Sequence, residues 1–410
     1  MAQAQMQAGS GGTGAGVPGG AIACLSLAAF GSGVALRVND ALLPRLAQDF
    51  SIDIGQASQV ISLFAIAYGL AQLLFGPLGD RYGKYRVIAW AASACAATSA
   101  LCALAPGFEL LRLARMLAGA TAAAIIPLSM AWIGDVVAYE QRQPVLARFL
   151  IGQIVGLSAG VWFGGFAADH LSWRAPYAVL ALFFAAIGQA LFVLNRRLPA
   201  QARQQRRAQG SALRRMLDDF GHILATPWAR VILVTVFLEG LFLYGPFAFI
   251  ASHLHAQFGL SLSLAGSLVM LFGLGGFVFA LGSRRLVGAL GEVGLARAGG
   301  ALLFVALLGL GLTPHWSWAA PACLLAGLGF YMLHNTLQVN ATQMAPERRG
   351  AAVSAFASCF FLGQSAGVSL AGAVVVPIGS AWLMSLGGTG VLAVALLFAR
   401  LRAARRPLVS

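Results

Sequence analysis

The sequence is poor in charge. Only 10% of its 410 residues are Asp, Glu, Lys or Arg, whereas about a quarter of the residues in a soluble protein are charged. Acidic residues number thirteen, and Lys84 is the only lysine. Hydrophobic residues make up 59% of the chain, and the mean hydropathy is +0.80. This composition excludes a soluble globular domain and predicts a membrane protein that crosses the bilayer many times.

Signatures of metal, nucleotide and covalent chemistry are also missing. The five cysteines all fall in apolar runs without CxxC spacing, so they predict neither a metal site nor a disulfide. The chain has no G-x-x-x-x-G-K-[ST] nucleotide loop and no H-E-x-x-H zinc motif. The G-x-S-x-G pattern occurs at 156–160 and 363–367, but both copies lie inside predicted spans and lack the strand-to-helix turn of a nucleophile elbow. We therefore expect no cofactor, no metal and no enzymatic activity.

What the chain has instead is long apolar runs. Each is long enough to cross a bilayer as a helix, which takes about 20 residues. The predicted spans are 21–43, 55–77, 86–105, 111–134, 148–168, 176–195, 229–250, 263–283, 297–313, 319–341, 352–376 and 381–400. Because further spans follow the first run, we expect it to be retained and not cleaved as a signal peptide.

The two halves of the chain repeat each other. An acidic-basic triplet precedes a glycine-rich span in each half, and matched positions differ by a constant offset (363 − 156 = 207). The matched positions are Glu140 with Glu347, Gly156 with Gly363, Gly160 with Gly367, and Gly165 with Gly372. The fold class predicted is an all-α membrane protein of twelve transmembrane helices in two pseudo-symmetric six-helix bundles, 21–195 and 229–400.

Three polar segments flank and join the bundles. Residues 1–20 are predicted to be a disordered cytoplasmic tail, and 401–410 a basic cytoplasmic tail. Residues 196–228 are predicted to be a cytoplasmic linker with an amphipathic helix. Its apolar residues recur at helical spacing, namely Leu213, Met216, Leu217, Phe220 and Leu224. A solvated basic linker remains the alternative for its first half.

The basic residues are unevenly distributed between the predicted loops. With the amino terminus inside, the cytoplasmic segments hold all but five of the 27, and those five are Arg37, Arg45, Arg112, Arg115 and Arg174. Lys and Arg accumulate on the cytoplasmic side of membranes, so we expect both termini to be cytoplasmic in a cell (inner) membrane protein. No soluble domain carries a basic aromatic surface, so a nucleic-acid partner is not expected.

Residues 76–86 lie between the second and third spans and are predicted to form a tight turn. Their pattern, G-x-L-x-D-R-x-G-K/R, resembles the loop between helices 2 and 3 of the major facilitator superfamily. The resemblance implies a gating loop made of Gly76, Asp80, Arg81, Gly83 and Lys84. It also implies that Asp80 faces the start of helix 11, near Gly350, when the cytoplasmic side is closed. Local pairing of Asp80 with Arg81 or Arg86 is the alternative.

A second similarity lies in span four. Arg115-x-x-x-Gly119 resembles the fourth-helix motif of the same superfamily, with Ala118 in place of the usual glutamine. The resemblance associates this arginine with proton transfer. An arginine within a span is costly, so we expect Arg115 to face a cavity or a carboxylate.

A third similarity lies in span five. Its glycines resemble the antiporter signature G-x-x-x-G-P-x-x-G-G, with Val161 in place of proline. The four glycines of the motif, Gly156, Gly160, Gly164 and Gly165, are expected at the seam between the two halves. Generic packing of small residues is the alternative.

Few acidic residues fall inside the predicted spans. Glu239 is about eleven residues into span seven, near the midplane, where transporter sites lie. A carboxyl group there can bind either a proton or a cationic substrate, and that competition is sufficient for exchange. The alternative is a protonated glutamic acid bonded between helices. Asp40 can pair with Arg37 at i, i+3, with a structural or a functional role equally open.

Further polar and aromatic residues are candidates for a substrate cavity, although packing explains several of them equally well. They are Arg37, Tyr68, Gln72, Tyr244, Tyr331, His334, Asn335 and Gln338. The resemblance covers nearly the whole chain from about residue 21. It implies proton-coupled export of small organic or drug-like compounds by alternating access, as in the twelve-span drug:proton antiporters, with Glu239, Asp40 and Arg115 in proton coupling.

Two other functions remain open at this point. One is proton-coupled uptake of a small metabolite such as an organic acid, with Arg115 or Arg37 binding its carboxylate. The other is a membrane scaffold or sensor that transports nothing. The expected partners are a small-molecule substrate, protons and the lipid bilayer, and the expected oligomeric state is a monomer.

Overall fold

The computed structural model describes residues 19–203 and 212–405, and within these ranges it contains helices and no strand. Nine α-helices precede the linker: α1 Gly19–Arg37, α2 Leu43–Phe50, α3 Ile54–Ala57, α4 Gln59–Tyr82, α5 Lys84–Ala103, α6 Phe108–Ala122, α7 Ile125–Val136, α8 Tyr139–His170 and α9 Ala175–Arg197. The linker contributes α10, Ala212–Ala225. Six follow: α11 Pro227–Phe247, α12 Ile250–Phe258, α13 Leu262–Leu312, α14 Ala319–Gln343, α15 Arg349–Ile378 and α16 Ser380–Ala404.

The number of membrane crossings agrees with the prediction of twelve. Eleven stretches of the described chain are long and apolar enough to cross a membrane. The longest, α13, covers the two predicted spans 263–283 and 297–313. Gly291 lies between them with φ 59° and ψ −177°, outside the helical region, so α13 is two crossings joined at a sharp turn.

Three spans that were predicted to be continuous are broken. In span one, α1 ends at Arg37 and a turn precedes α2; span four is divided between α6 and α7, and span seven between α11 and α12. Irregular backbone at membrane depth is tolerated only where protein or a cavity covers its polar groups. At the breaks in spans one and seven, backbone N–H groups bond within the local turn, as Asp40 N does to the Arg37 carbonyl oxygen and Phe249 N to that of Pro246. The two spans also meet there, with the Arg37 guanidinium 4.1 Å from the Tyr244 ring centroid.

The 207-residue repeat is visible in the packing. A Cβ placed on Gly156 would lie 2.2 Å from the Phe30 carbonyl oxygen, and one on Gly363 would lie 2.0 Å from the Phe237 carbonyl oxygen. Phe30 and Phe237 are themselves one repeat apart (237 − 30 = 207). The buried hydrophobic side chains of α11–α16 form one large cluster, with few members from the first half, and those of α1 and α4–α9 supply another. The chain is thus two similar helical bundles.

The turn at 76–86 is shorter than predicted. Helix α4 continues through Pro77 to Tyr82, and α5 begins at Lys84. Gly83 alone leaves the helical conformation, with φ 88° and ψ 123°, a region that glycine adopts without strain. The helix continues because backbone N–H and C=O groups near the hydrocarbon have no water to bond, so they stay bonded within the helix.

The two halves touch at one face of the membrane and separate at the other. We call the face where α1 begins and α4 ends the near face, and the opposite one the far face. Toward the far face, a Cβ on Gly55 would lie 2.0 Å from the Gly372 carbonyl oxygen, and one on Gly165 would lie 2.2 Å from that of Leu262. At the near face, a Cβ on Gly76 or Gly350 would meet no described atom within 4 Å. Beside the Gly55–Gly372 contact, a groove of about 590 Å³ lies between α3–α4 and α15. We call this arrangement, with close contacts toward the far face and none at Gly76 and Gly350, closed at the far face and open at the near face.

The linker helix α10 docks on the second half through a face that differs from the predicted one. Ile223, outside the predicted set, is fully buried, whereas Leu217 and Leu224 are 60% and 56% exposed. The docked side is held by Arg348 Nη1, which donates to Asp219 Oδ1 at 2.8 Å. Leu217 and Leu224 remain available to the membrane surface, so the predicted amphipathic helix at the interface stays a prediction.

Parts of the predicted tails and linker lie outside the described residues, namely 1–18, 204–211, 406–410 and the side chain of Leu213. Within the described part, α16 continues to Ala404, so 401–404 are helical.

Candidate functional site

The centre of the second half holds a buried acid–histidine pair. Glu239 lies on α11 with no exposed surface, and its Oε2 is 2.8 Å from His334 Nδ1 on α14. The other carboxyl oxygen, Oε1, has no hydrogen-bond partner in the described chain. Of the His334 side chain, 17% is exposed, so the histidine lies between the buried carboxyl group and the surface of the described protein. Both residues were predicted as candidates, but not as a pair.

Aromatic rings enclose this pair. The His334 ring stacks on Phe330 at 4.8 Å between centroids and lies 4.7 Å from Phe360. Tyr244 meets both phenylalanines edge-on, at 5.8 Å from Phe330 and 5.4 Å from Phe360. The rings exclude water from Glu239, so a change in its charge is costly unless a partner compensates for it.

Arg37 and Asp40 occupy the contact between the broken spans one and seven. Arg37 Nη1 lies 3.4 Å from Asp40 Oδ2, and both side chains are buried. The guanidinium also lies over the rings of Tyr244 and Phe247, at 4.1 and 5.1 Å. Asp40 Oδ1 has no partner among the described residues. Arg37 and Tyr244 occupy equivalent repeat positions (244 − 37 = 207), so this contact joins the two halves near their pseudo-symmetry axis.

Arg115 is buried among neutral groups. Its Nε donates to the Val60 carbonyl oxygen at 3.2 Å, and the guanidinium lies 4.2 Å from the Phe64 ring. In the amide orientation that satisfies both neighbours, the Asn39 oxygen accepts from Arg115 Nε at 3.1 Å and the Asn39 nitrogen donates to the Tyr177 hydroxyl. No described carboxylate lies within ion-pair distance of Arg115 in this conformation. The expectation that Arg115 faces a cavity or a carboxylate stays a prediction.

A small cavity of about 40 Å³ lies between the halves. Of the predicted cavity residues, Arg37, Tyr244 and Tyr331 line it. Sequence reasoning missed the aromatic side chains Phe247, Phe272 and Phe330, which supply much of its wall. The 207-residue offset could have indicated Phe247, because it is the repeat partner of Asp40 (247 − 40 = 207).

The remaining predicted cavity residues lie elsewhere. Tyr68 is buried with its ring 4.3 Å from Phe361 at the α4–α15 contact. Gln72, one turn further along α4, is buried with an unpartnered Oε1. On α14, Asn335 is half-buried and Gln338 is exposed. None of these four residues lines the small cavity.

The predicted gating residues lie at the open near face. Lys84 Nζ forms a short ion pair with Asp135 of α7 and lies 3.9 Å from Asp80 Oδ1. The Asp80 side chain is 44% exposed, and the Arg81 guanidinium lies over the Tyr82 ring. Asp80 thus pairs locally, with Lys84 and not with Arg81 or Arg86. Its contact with the start of helix 11 belongs to the closed near face and stays a prediction.

The span-five glycines divide into two groups. A Cβ on Gly156 or Gly160 would approach a backbone oxygen of α1, at 2.2 and 2.8 Å, and one on Gly164 would lie 2.1 Å from the oxygen of Val38, just after α1. Only Gly165 meets the other half, at Leu262 of α13. The prediction that all four glycines form the seam between the halves was wrong for the first three, because the GxxxG face of α8 is occupied by α1.

Comparison with known proteins decides the family. The sequence model of the Major Facilitator Superfamily matches residues 25–368. The chain belongs to the major facilitator superfamily. Its members are transporters, so this chain is a multi-pass membrane transporter and not an enzyme.

Individual relatives and structures agree with membership of this superfamily. The chain is 25% identical to the MFS-type transporter YceJ of Bacillus subtilis (strain 168) over 335 residues, 81% of this chain and 83% of YceJ. It is 28% identical to the multidrug export protein EmrB of Haemophilus influenzae over 149 residues, 36% of this chain and 29% of EmrB. The crystal structure of the nucleoside transporter NupG superposes with a TM-score of 0.72 at 14% identity, covering 94% of this chain and all of NupG's. The superposition supports the fold alone.

Proposed function

We propose that this superfamily member exports small, planar, amphipathic organic compounds in exchange for protons, by alternating access. The observation that carries the proposal is the Glu239–His334 pair, in which a fully buried carboxyl group has one bonded oxygen and one free oxygen. A buried ionisable pair within a membrane is costly and is retained where it works in transport. Glu239 is the proton acceptor, and His334 is its contact with water.

Coupling follows from the position of the pair behind the aromatic wall. A proton on Glu239 removes its charge and weakens its attraction to His334. The imidazole stacks on Phe330, which also lines the cavity between the halves. Protonation of Glu239 therefore changes the wall against which a substrate packs. Asp40, with its free oxygen, is a second proton acceptor in this scheme, and Arg115 acts on it indirectly by holding Asn39.

The cavity wall supports planar aromatic or amphipathic substrates. Its rings come from Tyr244, Phe247, Phe272, Phe330 and Tyr331. Flat compounds gain area and offset stacking against such walls. The cavity holds only a few water molecules in this conformation, so substrate binding must widen it from the near face. Local similarity to a multidrug exporter supports the same direction of transport.

The near face is cytoplasmic in this proposal. The described basic residues cluster there: Arg81, Lys84 and Arg86 at the first turn, and Arg348 and Arg349 at the start of α15. Such an excess is typical of the cytoplasmic side of a bacterial inner membrane. Both termini are then cytoplasmic, the conformation is inward-facing, and the bundles 21–195 and 229–400 of one monomer are the moving bodies.

Inside-out vesicles with an acidic lumen test this function. Planar cationic dyes are added, and the lumenal pH is followed by a trapped fluorescent indicator. Antiport predicts that the dyes release lumenal protons with the wild type and not with Glu239→Gln. Glu292→Gln is the matched control, because Glu292 pairs with Arg402 at the near face, away from the cavity. Normal proton release with Glu239→Gln would refute the assignment.

Uptake of an organic acid is the second candidate, because Arg37 supplies the cationic group in the cavity wall. Asp40 already neutralises that arginine, which makes uptake the weaker proposal. In the same vesicles, symport predicts that an aromatic carboxylate loaded in the lumen leaves together with protons. A scaffold or sensor predicts no response to either class of compound.

A further inference from the structure

A carboxylate of the first half caps a helix of the second half at the far face. Asp169, in the last turn of α8, accepts three hydrogen bonds from the beginning of α13. Its Oδ1 accepts from Leu262 N at 3.2 Å, and its Oδ2 accepts from Ser263 N and Ser263 Oγ, both at 2.6 Å. The first N–H groups of a helix have no partner within it and attract negative charge. Asp169 thus satisfies, from the first half, N–H groups of α13 that its local cap Ser261 leaves free, since Ser261 bonds only Leu264 N.

The equivalent seam lacks this contact. The repeat partner of Asp169 is Val376 on α15, which is 62% exposed and cannot accept a hydrogen bond through its side chain (376 − 169 = 207). The repeat partner of Ser263 is Gln56, and its N–H donates to Asp53 Oδ1 at 2.7 Å. Asp53 and Gln56 belong to the same half. The helix start at Gln56 is therefore capped within its own half, whereas the start of α13 is capped both by its own Ser261, whose Oγ accepts from Leu264 N at 3.2 Å, and across the seam by Asp169.

Close packing accompanies the cap on the α8–α13 seam. Gly165, four residues before Asp169 on α8, has its backbone against Leu262. Ser158, two turns closer to the N-terminus of α8, donates to the Met270 carbonyl oxygen at 3.4 Å. The contact thus continues from the far face toward the middle of the membrane. If the far face opens, α8 and α13 separate and the three bonds to Asp169 break together.

We propose that Asp169 is a positioning residue of the transport cycle: its carboxylate holds α13 only while the far face is closed and so sets the balance between the two conformations. This inference rests on the proposed alternating access. A charge-assisted bond that forms in one state alone stabilises that state selectively. Loss of the carboxylate is therefore expected to shift the population about tenfold toward the open far face.

Distance measurements between spin labels test the proposal. The labels are placed at Leu171 and Gln257, exposed far-face positions of the first and second halves, in a variant whose five cysteines are replaced. Asp169→Ala is expected to increase the long-distance population about tenfold over the wild type. Asp169→Glu, which keeps a carboxylate, is expected to restore much of the short distance. Amide hydrogen exchange at Leu262 and Ser263 is expected to accelerate in Asp169→Ala.

The matched control is Asp53→Ala. It removes a carboxylate cap at the same face and at the equivalent helix start, but within one half, so the distance distribution should not change. An unchanged distribution in Asp169→Ala, or an equal shift in Asp53→Ala, would overturn the proposal. The distances require neither substrate nor a pH gradient, so this result is independent of the vesicle assay. Melting temperatures of the same samples identify any variant that fails to fold.

Discussion

The two halves of the transporter bury charge in different ways. In the first half, the Arg115 guanidinium is satisfied by the Val60 carbonyl group, the Asn39 amide and an aromatic ring. In the second half, Glu239 has one histidine partner and one unpartnered oxygen. Arg115 is bonded by neutral groups, whereas Glu239 keeps one oxygen free, as does Asp40 beside Arg37 in the first half. We therefore expect Arg115 to stabilise the fold and the carboxyl groups with a free oxygen to exchange protons.

The largest effect is expected at Arg115. Arg115→Ala leaves the Val60 carbonyl group and Asn39 without their donor and opens a cavity, so the free energy of unfolding should fall by about 3–5 kcal/mol. The melting temperature of the purified protein in detergent measures the loss. A variant that keeps the wild-type melting temperature would show that the first half does not depend on this charge.

Two adjacent glycines extend the comparison to packing. Gly164→Ala would crowd the Val38 carbonyl oxygen, just after α1, within one half, and Gly165→Ala would crowd that of Leu262 across the seam. Overpacking within a half should cost about 1–3 kcal/mol in unfolding free energy. The seam can relieve the strain by opening, so Gly165→Ala should keep more stability and expose the far face. Melting temperature measures the stability of both variants, and thiol labelling measures exposure of the far face. Equal losses of stability in Gly164→Ala and Gly165→Ala would contradict the difference between packing within a half and packing across the seam.

A smaller change in stability is expected at the acid–histidine pair. Glu239→Gln keeps the shape of the side chain and removes a charge whose burial is costly, so the melting temperature should stay the same or rise. Transport should meanwhile lose its dependence on the pH gradient. If Glu239→Gln lowered the melting temperature as much as Arg115→Ala, the contrast between the halves would not hold.

The smallest change in stability is expected at the open near face. Asp80 is largely solvated and lies 3.9 Å from Lys84, so Asp80→Asn should change the free energy of unfolding by less than about 0.5 kcal/mol. If Asp80 caps α15 in the closed near face, the same variant should slow transport. Stability is read from the melting temperature and transport from vesicle flux. An unchanged flux in Asp80→Asn would show that Asp80 has no role in the gate.

Much of the fold could be predicted from apolar length and the 207-residue repeat. Both depend on burial against lipid, which the composition of each span reports directly. The breaks in spans one, four and seven could not be predicted, because apolar length does not report where a helix stops and a local turn takes over its hydrogen bonds. The contact of Arg37 with Tyr244 beside two of these breaks joins residues 207 positions apart in the chain.

The site was predicted in part for the same reason. Glu239 is conspicuous as an acid in an apolar run, and its burial at membrane depth follows from the position in the span alone. Its pairing with His334 depends on how α11 packs against α14, which one sequence does not report. The inter-half role expected for Gly156, Gly160 and Gly164 was wrong because a GxxxG pattern indicates close packing without naming the helix that approaches.

The one-residue joint at Gly83 has a mechanical consequence. The Gly83 N–H is bonded to the Gly79 carbonyl oxygen, and the Gly83 carbonyl oxygen accepts from Val87 N, so no free linker separates the two helical rods. We therefore expect α5 to move together with α4 when α4 tilts against its neighbour α15. A movement at the contact between the halves would then also displace α5 where it packs on α9, at the outer surface of the bundle.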